Sequence, residues 1–409
     1  MSHLIKHMIV GVALVMSAVP AQVNLAYADM NLDFSGFLAG DLRLFSEGAA
    51  NSGQSDARLN PSTVLQLEWN LDWNEGDDRI DFIPFARIDP QDSERSHVDI
   101  RELNYLHLDD TWDLTIGIDK VFWGVTESRH LVDIINQTDA VEDSDGEDKL
   151  GQFMINLGLQ SDVGDINFFI MPYFRERTFP GSDGRLRAPF VVDTDRTHYE
   201  SDMEEFHPDL AFRYSVVKGD WDIGVAHFYG TSREARFIPE INGAGDTVLA
   251  PQYDLINQTS ADIQATFDAW LWKFEGIYRQ GHGDDFIAAS GGLEYTFYGI
   301  ADSDADLGLL AEYHYDGRDS SAPATIFDND LFLGLRAALN DAQDTTFLAG
   351  VIWDTETQAQ NYTVEASRRL NDYLTFEAEL RIISNQPTSD PLYSARDDDH
   401  LQLRLSYYF

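Results

Sequence analysis

The chain has 409 residues, 43% of them hydrophobic, and its 71 acidic against 28 basic side chains give a formal net charge of −43. This balance argues against nucleic acid as a partner, because phosphate binding needs clustered Lys and Arg. Cysteine is absent, which excludes disulfides and thiol chemistry. Two interpretations of the acidity stay open: a field that attracts cations, or an adaptation to salt or to divalent ions at the surface.

Residues 1–28 have the composition of a secretory signal peptide. Lys6 precedes a charge-free apolar run over 8–19, and small residues flank Tyr27 at the end of the segment. A basic start, a short apolar middle and a small-x-small end predict cleavage, here before Asp29. A cut near residue 21 and a buried N-terminal helix are the alternatives, and the run is shorter than the ~20 residues of a membrane-spanning helix. We therefore expect a signal peptide over 1–28 and one structural domain over 29–409.

The rest of the chain alternates between apolar and polar side chains. The first example covers 32–44 and the last covers 401–409. Such alternation predicts strands with one apolar and one polar face. Most segments run ~9–13 residues, close to the length with which a tilted strand crosses a bilayer. Eighteen segments begin near residues 32, 62, 79, 97, 112, 151, 165, 208, 221, 255, 270, 286, 306, 330, 345, 360, 373 and 399.

The connections differ in length. Tight polar turns fall at 74–78, 109–111, 161–164, 218–220, 268–269 and 370–372, and long links occupy 46–61, 125–148, 175–206 and 230–254. Short periplasmic turns and long extracellular loops are typical of outer-membrane barrels. Tryptophans beside the short turns fit an aromatic girdle at the membrane–water interface. These are Trp69, Trp73, Trp112, Trp221, Trp270 and Trp272.

The number of strands predicts the fold class. Open twisted sheets rarely exceed about ten strands, and closure removes the edges that would otherwise aggregate. We expect an all-β protein with a single closed antiparallel transmembrane β-barrel of about 18 strands, with 16 as the alternative. Its polar face should line the lumen. The lumen-facing side chains are predicted to be Arg43, Glu68, Arg87, Arg101, Asp119, Arg213, Glu275, Arg279, Glu294, Glu312, Arg336, Glu377, Arg381 and Arg404.

Some positions do not fit this pattern. Pro84 and Pro172 fall inside predicted strands, where proline removes a ladder donor. Glu102, Asn104 and Lys120 fall on the nominal lipid face. A charge in mid-bilayer costs ~2–4 kcal/mol in a barrel. We expect bulges or strand ends at the two prolines, and a bulge, an interfacial depth or a covering loop at the three polar positions.

The C-terminal sequence LQLRLSYYF ends on Phe409 after alternating apolar positions. In this it resembles bacterial outer-membrane proteins, whose last strand typically ends in an aromatic residue. The pair Trp123-Gly124, followed by Asp133 and Asn136, is similar to a segment of porin-like families of unassigned function. The resemblance implies an outer-membrane porin of a Gram-negative bacterium. It also implies that Phe409 is an assembly signal read by the barrel-assembly machinery.

No catalytic motif stands out. The patterns G-x-S-x-G and H-E-x-x-H are absent, so we expect no enzyme, and no cofactor or metal is predicted. The acidic stretch 142–148 lacks the glycine position of a calcium loop and is interpreted as a solvated loop. Four arginines between 173 and 187 fit an anion patch or, as the preferred alternative, pairing with acids of the same loop. The histidines that could serve as a base are interpreted as girdle or lumen residues: His198, His207, His227, His282 and His314.

The segment after the fifth strand is too apolar for a loop in water. Leu131, Val132, Ile134 and Ile135 follow one another closely, and loops run over the surface unless something buries them. We expect this loop to fold into the barrel with its apolar residues against the wall. Pore-constriction residues are then predicted to be Arg129, Asp133 and Asp139. A loop folded over the rim is the alternative.

A barrel of this size leaves an aqueous channel. The expected function is passive diffusion of small hydrophilic solutes with a preference for cations. The alternative is a surface or adhesin barrel whose long loops bind a partner. The expected partners are outer-membrane lipid, lipopolysaccharide, the assembly machinery and small solutes, and a homotrimer stays open.

Overall fold

The structure, a computed structural model, describes residues 30–409. The signal peptide predicted for 1–28 and the cut before Asp29 therefore lie outside the described residues. Helical structure within 30–409 is limited to short 3₁₀ turns, such as Pro391–Ala395. No helix in this range is long and apolar enough to cross a membrane.

Twenty-one strands make up the described chain, eighteen of them in one sheet. The eighteen are β1 (Met30–Phe45), β2 (Leu59–Trp73), β3 (Asp78–Ile88), β4 (Val98–Leu108), β5 (Trp112–Asp119), β6 (Gln152–Leu159), β7 (Asp165–Met171), β9 (Asp209–Lys218), β10 (Trp221–Thr231), β13 (Leu255–Phe267), β14 (Trp270–Gly281), β15 (Gly283–Phe297), β16 (Asp306–Asp316), β17 (Asn329–Ala338), β18 (Thr346–Asp354), β19 (Gln360–Asn371), β20 (Leu374–Ser384) and β21 (His400–Tyr408). The other three are β8 (His198–Tyr199), β11 (Arg236–Ile241) and β12 (Thr247–Tyr253).

The large sheet closes on itself. Strand β1 pairs antiparallel with β2 on one side and with β21 on the other. Every other neighbour in the sheet is also antiparallel, so no edge is left open. The closed antiparallel barrel predicted from the sequence is confirmed, with 18 strands rather than 16. Each strand begins within three residues of its predicted start.

The two faces of the wall differ as a membrane requires. On β14, Phe274 and Tyr278 are each 43% exposed, whereas Glu275 and Arg279 are 0% and 2% exposed. The apolar side chains thus face outward to lipid, and the charged ones face a crowded interior. The indoles of Trp221, Trp270 and Trp272 are exposed on the outer face, beside short turns.

A β-bulge in β4 explains the charges that the sequence pattern placed toward lipid. Ile83 pairs with Glu102 but Pro84 pairs with Ile100, so Arg101 is an extra residue. One extra residue reverses the faces along a strand. Glu102 therefore points to the lumen, within 4.0 Å of Lys120. The expected bulge at Pro84 is confirmed, and Pro172 directly follows the end of β7.

The nine connections on the side opposite β1's first residue and β21's last residue include two short ones, residue 282 and residues 355–359, and seven long ones. The long ones cover 46–58, 89–97, 120–151, 172–208, 232–254, 317–328 and 385–399. Strands β11 and β12 pair antiparallel, and β8 adds to β12 in parallel, which gives a small separate sheet within two of these connections. The sequence analysis did not predict this sheet, because its strands are short and carry no long alternation.

Candidate functional site: a loop across the barrel

Residues 120–151, called the inner loop below, leave β5 and cross the interior of the barrel. The crossing starts at Gly124, whose φ of +149° is strained for any other residue. A Cβ at this position would lie 3.1 Å from Nδ1 of His130 and 3.2 Å from Oε1 of Glu275. Glycine therefore lets the backbone approach the far wall closely enough to be held there.

Glu275 of β14 is one anchor of the inner loop. Its Oε1 accepts hydrogen bonds from the N–H groups of Val125 and Thr126, at 2.7 and 2.9 Å, and from the Thr126 hydroxyl at 2.8 Å. Its Oε2 accepts from the N–H of Val132 at 3.1 Å. A buried carboxylate with several N–H donors is a strong, charge-assisted contact.

Strand β16 supplies the next anchors, eight strands from β5 and nearly opposite it in the barrel. Glu312 accepts from the N–H of Glu127 at 2.7 Å and from the N–H and hydroxyl of Ser128 at 3.0 and 2.8 Å. Asp316 forms a 2.5 Å salt bridge with Arg129. The tip of the inner loop is therefore fixed to the wall that faces its origin.

The apolar part of the inner loop packs against the wall. Leu131, Val132, Ile134 and Ile135 are between 0% and 7% exposed. They join a cluster of inward-facing side chains from β6 to β15, with Trp123 at its start. These side chains are Met154, Phe169, Met171, Ala211, Ala226, Phe228, Ile256, Ile277, Phe286 and Ala288. The loop and this side of the wall thus form one apolar cluster.

The second half of the inner loop returns along β1 to β4. Glu142 binds Arg87 at 2.5 Å, and Asp143 lies 3.5 Å from Arg43. Both acids are buried. The solvated acidic loop predicted over 142–148 is therefore solvated only in part. Arginines on the inner face bury Glu142 and Asp143, whereas Ser144, Asp145, Glu147 and Asp148 are exposed.

The three predicted constriction residues lie apart from one another. Arg129 binds Asp316, Asp133 lies 3.1 Å from Lys149, and Asp139 binds Arg101 at 2.6 Å. Each of these side chains is buried and paired. Their contacts fasten the inner loop to itself and to the wall.

All fourteen predicted lumen-facing side chains lie on the inner face of the wall. Several contact the inner loop directly, among them Glu275 and Glu312 on one side and Arg87 and Arg101 on the other. Others do not, such as Glu68, whose hydrogen bonds within the described residues are with Ser35 of β1 and Gln66 of its own strand β2.

Two cavities remain between the inner loop and strands β17 to β21. The outer cavity, of about 700 Å³, is on the side of the long connections, and the inner cavity, of about 550 Å³, is on the side of the short turns. They share five lining residues, which we call the aperture: Glu127, Asp145, Glu147, Leu348 and Glu365. A solute that passes from one cavity to the other meets four carboxylates.

The inner cavity is strongly acidic. Two guanidinium groups, of Arg336 and Arg404, line it. Nine carboxylates do so: Glu127, Glu142, Asp143, Asp145, Glu147, Asp148, Glu365, Glu377 and Glu379. A cleft lined by one sign of charge focuses the field and concentrates ions of opposite sign.

The aperture also has fixed positive charges. Glu127 binds Arg336 and lies 3.4 Å from Lys273. Arg381 binds Asp145 at 2.8 Å and Asp143 at 3.2 Å, and it also binds Glu379. Carboxylate oxygens of Asp143, Asp145 and Glu379 lie within 4.8 Å of one another, and the Arg381 guanidinium lies between them.

Two side chains of the inner loop that line the cavities have shifted pKa values. Enclosure within the barrel, and then the neighbouring carboxylates Glu142, Asp145 and Asp143, raise the pKa of Asp148 to about 6. Burial alone lowers the pKa of His130, but a hydrogen bond with Glu147 at 3.0 Å and the charge of that carboxylate raise it overall. The charge of Asp148, which lines the inner cavity, therefore changes near pH 6.

The positions of Glu127, Asp145 and Glu147 at the aperture were not predicted from the sequence. Glu127 is three residues after the Trp123-Gly124 pair, and this closeness was the available signal. The other two were interpreted as part of a solvated loop. The lumen position of each follows from contacts with residues far along the chain, which no local pattern shows.

The arginines of the fourth long connection do not pair within their own loop, so that preferred interpretation is wrong. Arg175 binds Asp99 of β4 at 2.5 Å, and Arg185 binds Asp398 at 2.6 Å. Arg187 donates to backbone carbonyls, among them that of Ser52 at 2.8 Å. These contacts tie the long connections to one another.

His314 is the histidine that comes nearest to a catalytic arrangement. Its Nε2 lies 2.8 Å from the Ser128 hydroxyl and its Nδ1 lies 2.9 Å from the Ser290 hydroxyl. The Ser128 hydroxyl also donates a hydrogen bond of 2.8 Å to the carboxylate of Glu312. His314 is fully buried. The group serves to fasten the inner loop.

Comparison with known proteins shows similarity in structure. No family model matches the sequence, and no curated protein does. Wzi of Escherichia coli, an outer membrane protein involved in group 1 capsule assembly and described as a carbohydrate-binding β-barrel, aligns with a TM-score of 0.54 at 8% identity, over 91% of this chain and 84% of Wzi. A BenF-like porin from Pseudomonas fluorescens Pf-5 aligns with a TM-score of 0.53 at 9% identity, over 93% and 98%. OccD3 (OpdP) of Pseudomonas aeruginosa aligns with a TM-score of 0.51 at 10% identity, over 95% and 93%.

At these identities the likeness concerns the fold. The chain is a closed 18-stranded β-barrel with the fold of outer-membrane porins and related barrels. Its exposed apolar outer face and charged interior fit the outer membrane of a Gram-negative bacterium.

Proposed function

We propose that the protein is an outer-membrane channel for passive diffusion of small hydrophilic solutes, that it prefers cations, and that the inner loop narrows it. The observation that carries the proposal is the aperture. The outer and inner cavities share four lining carboxylates, and nine carboxylates and two guanidiniums line the cavity on the short-turn side. Cations are concentrated there, and anions are repelled.

The wall contacts of the inner loop support its part in the proposal. Carboxylates of β14 and β16 hold the first half of the loop, and arginines of β3 and β4 hold the second half. Contacts at both ends of a crossing segment keep it in the lumen. The two cavities that share the aperture lie along β17 to β21, and a smaller cavity of about 330 Å³ lies between the inner loop and β1 to β4.

Single-channel recording of the refolded protein in a planar bilayer tests this function. We expect stable conductance, and a larger conductance after deletion of residues 127–138, which include the tip of the inner loop. Absence of any ion current would overturn the channel. A deletion variant that conducts like the full chain would overturn the narrowing by the loop.

A surface protein that binds a partner is the second candidate. The observation that favours it is the separate sheet of β8, β11 and β12 in the long connections, with Phe237 and Ile241 42% and 63% exposed. Exposed apolar groups in such a place fit a contact surface. Under this alternative, the barrel carries no ion current. Deletion of 236–253 would leave the barrel folded but would abolish its binding to cells or glycans.

A further inference from the structure

One wall of the outer cavity is apolar. Three successive inward positions in the middle of β18 are Leu348, Gly350 and Ile352, between the polar inward residues Thr346 and Asp354. Phe332 of β17 pairs with Ile352 in register, and Ile383 of β20 lines the same cavity. We call Phe332, Leu348, Ile352 and Ile383 the apolar stripe. Other strands place charged groups at such positions, as β14 does with Lys273 and Glu275.

Most of the apolar stripe is open to the cavity. The apolar residues of the inner loop pack against β6 to β15 on the other side of the lumen. Leu348, Ile352 and Ile383 remain partly accessible. Gly350 keeps the surface flat, since a Cβ there would lie 2.3 Å from the ring of Phe332. Apolar surface that faces water gains roughly 25 cal/mol per Å² when a ligand covers it.

A carboxylate lies at the lower end of the apolar stripe. Glu365 of β19 pairs with Leu348 across the strands. Within residues 30–409, no basic side chain comes within 4 Å of it. Of the basic side chains that line this cavity, Arg381 binds three carboxylates, Arg129 binds Asp316 and Lys149 binds Asp133. Arg187 also lines the cavity and donates to backbone carbonyls. Glu365 is thus a carboxylate beside the apolar stripe without a salt-bridge partner in the described residues.

We infer that the outer cavity binds small organic monocations with an apolar body, the ammonium group at Glu365 and the body on Leu348 and Ile352. This inference rests on the proposed channel function and names a solute class for it. Leu348 and Ile352 are four residues apart, or ~13 Å along a strand. With the ammonium beside Leu348, the ring of a 2-arylethylammonium ion lies over Gly350, between these two side chains. Pockets that are mostly apolar with a few placed polar groups are the usual form of a ligand site.

Single-channel currents in KCl with 2-phenylethylammonium added on the long-loop side test the site. Ethylammonium lacks the ring and phenylacetate reverses the charge, so both serve as control solutes. We expect brief blocks with the ring amine, and a relative permeability above that of ethylammonium. The double variant Leu348→Ser, Ile352→Thr and the single variant Glu365→Gln should each shorten the blocks about tenfold. Val64→Thr, a similar change elsewhere on the inner face, should leave them as they are.

The outcomes separate the two proposals. KCl current with equal effects of the ring amine and ethylammonium would overturn the binding site and leave the channel intact. Block by phenylacetate as strong as by the ring amine would overturn the choice of cations. Absence of KCl current would overturn the channel function and the site with it. Because Glu365→Gln keeps the size of the side chain, it tests the site even if the double variant does not fold.

Discussion

Replacement of Glu275 by alanine should release the inner loop from β14. This carboxylate accepts four hydrogen bonds, three of them from the backbone N–H groups of Val125, Thr126 and Val132. A buried donor without a partner costs ~1–3 kcal/mol, so a loop that kept its place would lose ~3–9 kcal/mol from the three N–H groups alone. Movement of the segment into lumen water is the less costly response. The aperture residue Glu127 lies within this segment and should move with it.

The assay is single-channel conductance in a planar bilayer. Glu275→Ala should raise the conductance and add fluctuations between conductance levels, because the loop segment that contains Glu127 is no longer held to β14. Glu275→Gln should have a smaller effect, since the amide oxygen can keep the three bonds of Oε1 and only the Val132 bond is lost. Glu68→Gln is the matched control, as the hydrogen bonds of Glu68 within the described residues are with Ser35 and Gln66. If Glu275→Ala conducts like wild type, without added fluctuations, the anchoring role is refuted.

Three further predictions concern charge and assembly. Lowering the pH from about 7.5 to about 5 protonates Asp148, because its pKa is raised to about 6. The reversal potential should therefore show a weaker preference for cations below pH 6, and a reversal potential that does not depend on pH would contradict this. Glu127→Gln removes the partner of Arg336 and Lys273, which should reduce the relative permeability of K⁺ over Cl⁻ by several-fold. The backbone of Phe409 exchanges two 3.1 Å hydrogen bonds with Gly36. Deletion of Phe409 should lower the heat-resistant folded fraction of the protein on semi-native gels of membranes. An unchanged fraction would count against an assembly signal.

The fold could be predicted from the sequence because a lipid-facing strand shows its period in its own residues. Leu401 to Phe409 alternate whatever the rest of the chain does, and the same holds for the other barrel strands. The pattern fails where a local device changes it, as at Arg101, where one extra residue turns Glu102 inward. The bulge could be anticipated because a charge toward lipid is so costly. The short strands β8, β11 and β12 gave no such signal.

The site could be predicted only in outline. The apolar residues Leu131 to Ile135 indicated that the inner loop needs a wall, and the structure packs them against one. Which charged groups of the loop border the remaining space depends on partners such as Glu275 and Glu312, about 150 and 185 residues away. The sequence analysis selected Arg129, Asp133 and Asp139, and each has a buried partner. The aperture instead has Glu127, Asp145 and Glu147 from the loop.

The reversal potential of the wild-type channel in a roughly tenfold KCl gradient tests the central claim most directly. The aperture has four of the nine carboxylates that line the inner cavity, so the channel should favour K⁺. The reversal potential should then have the sign of the K⁺ equilibrium potential. A potential of the opposite sign would show that Cl⁻ carries the current and would contradict the account of the aperture.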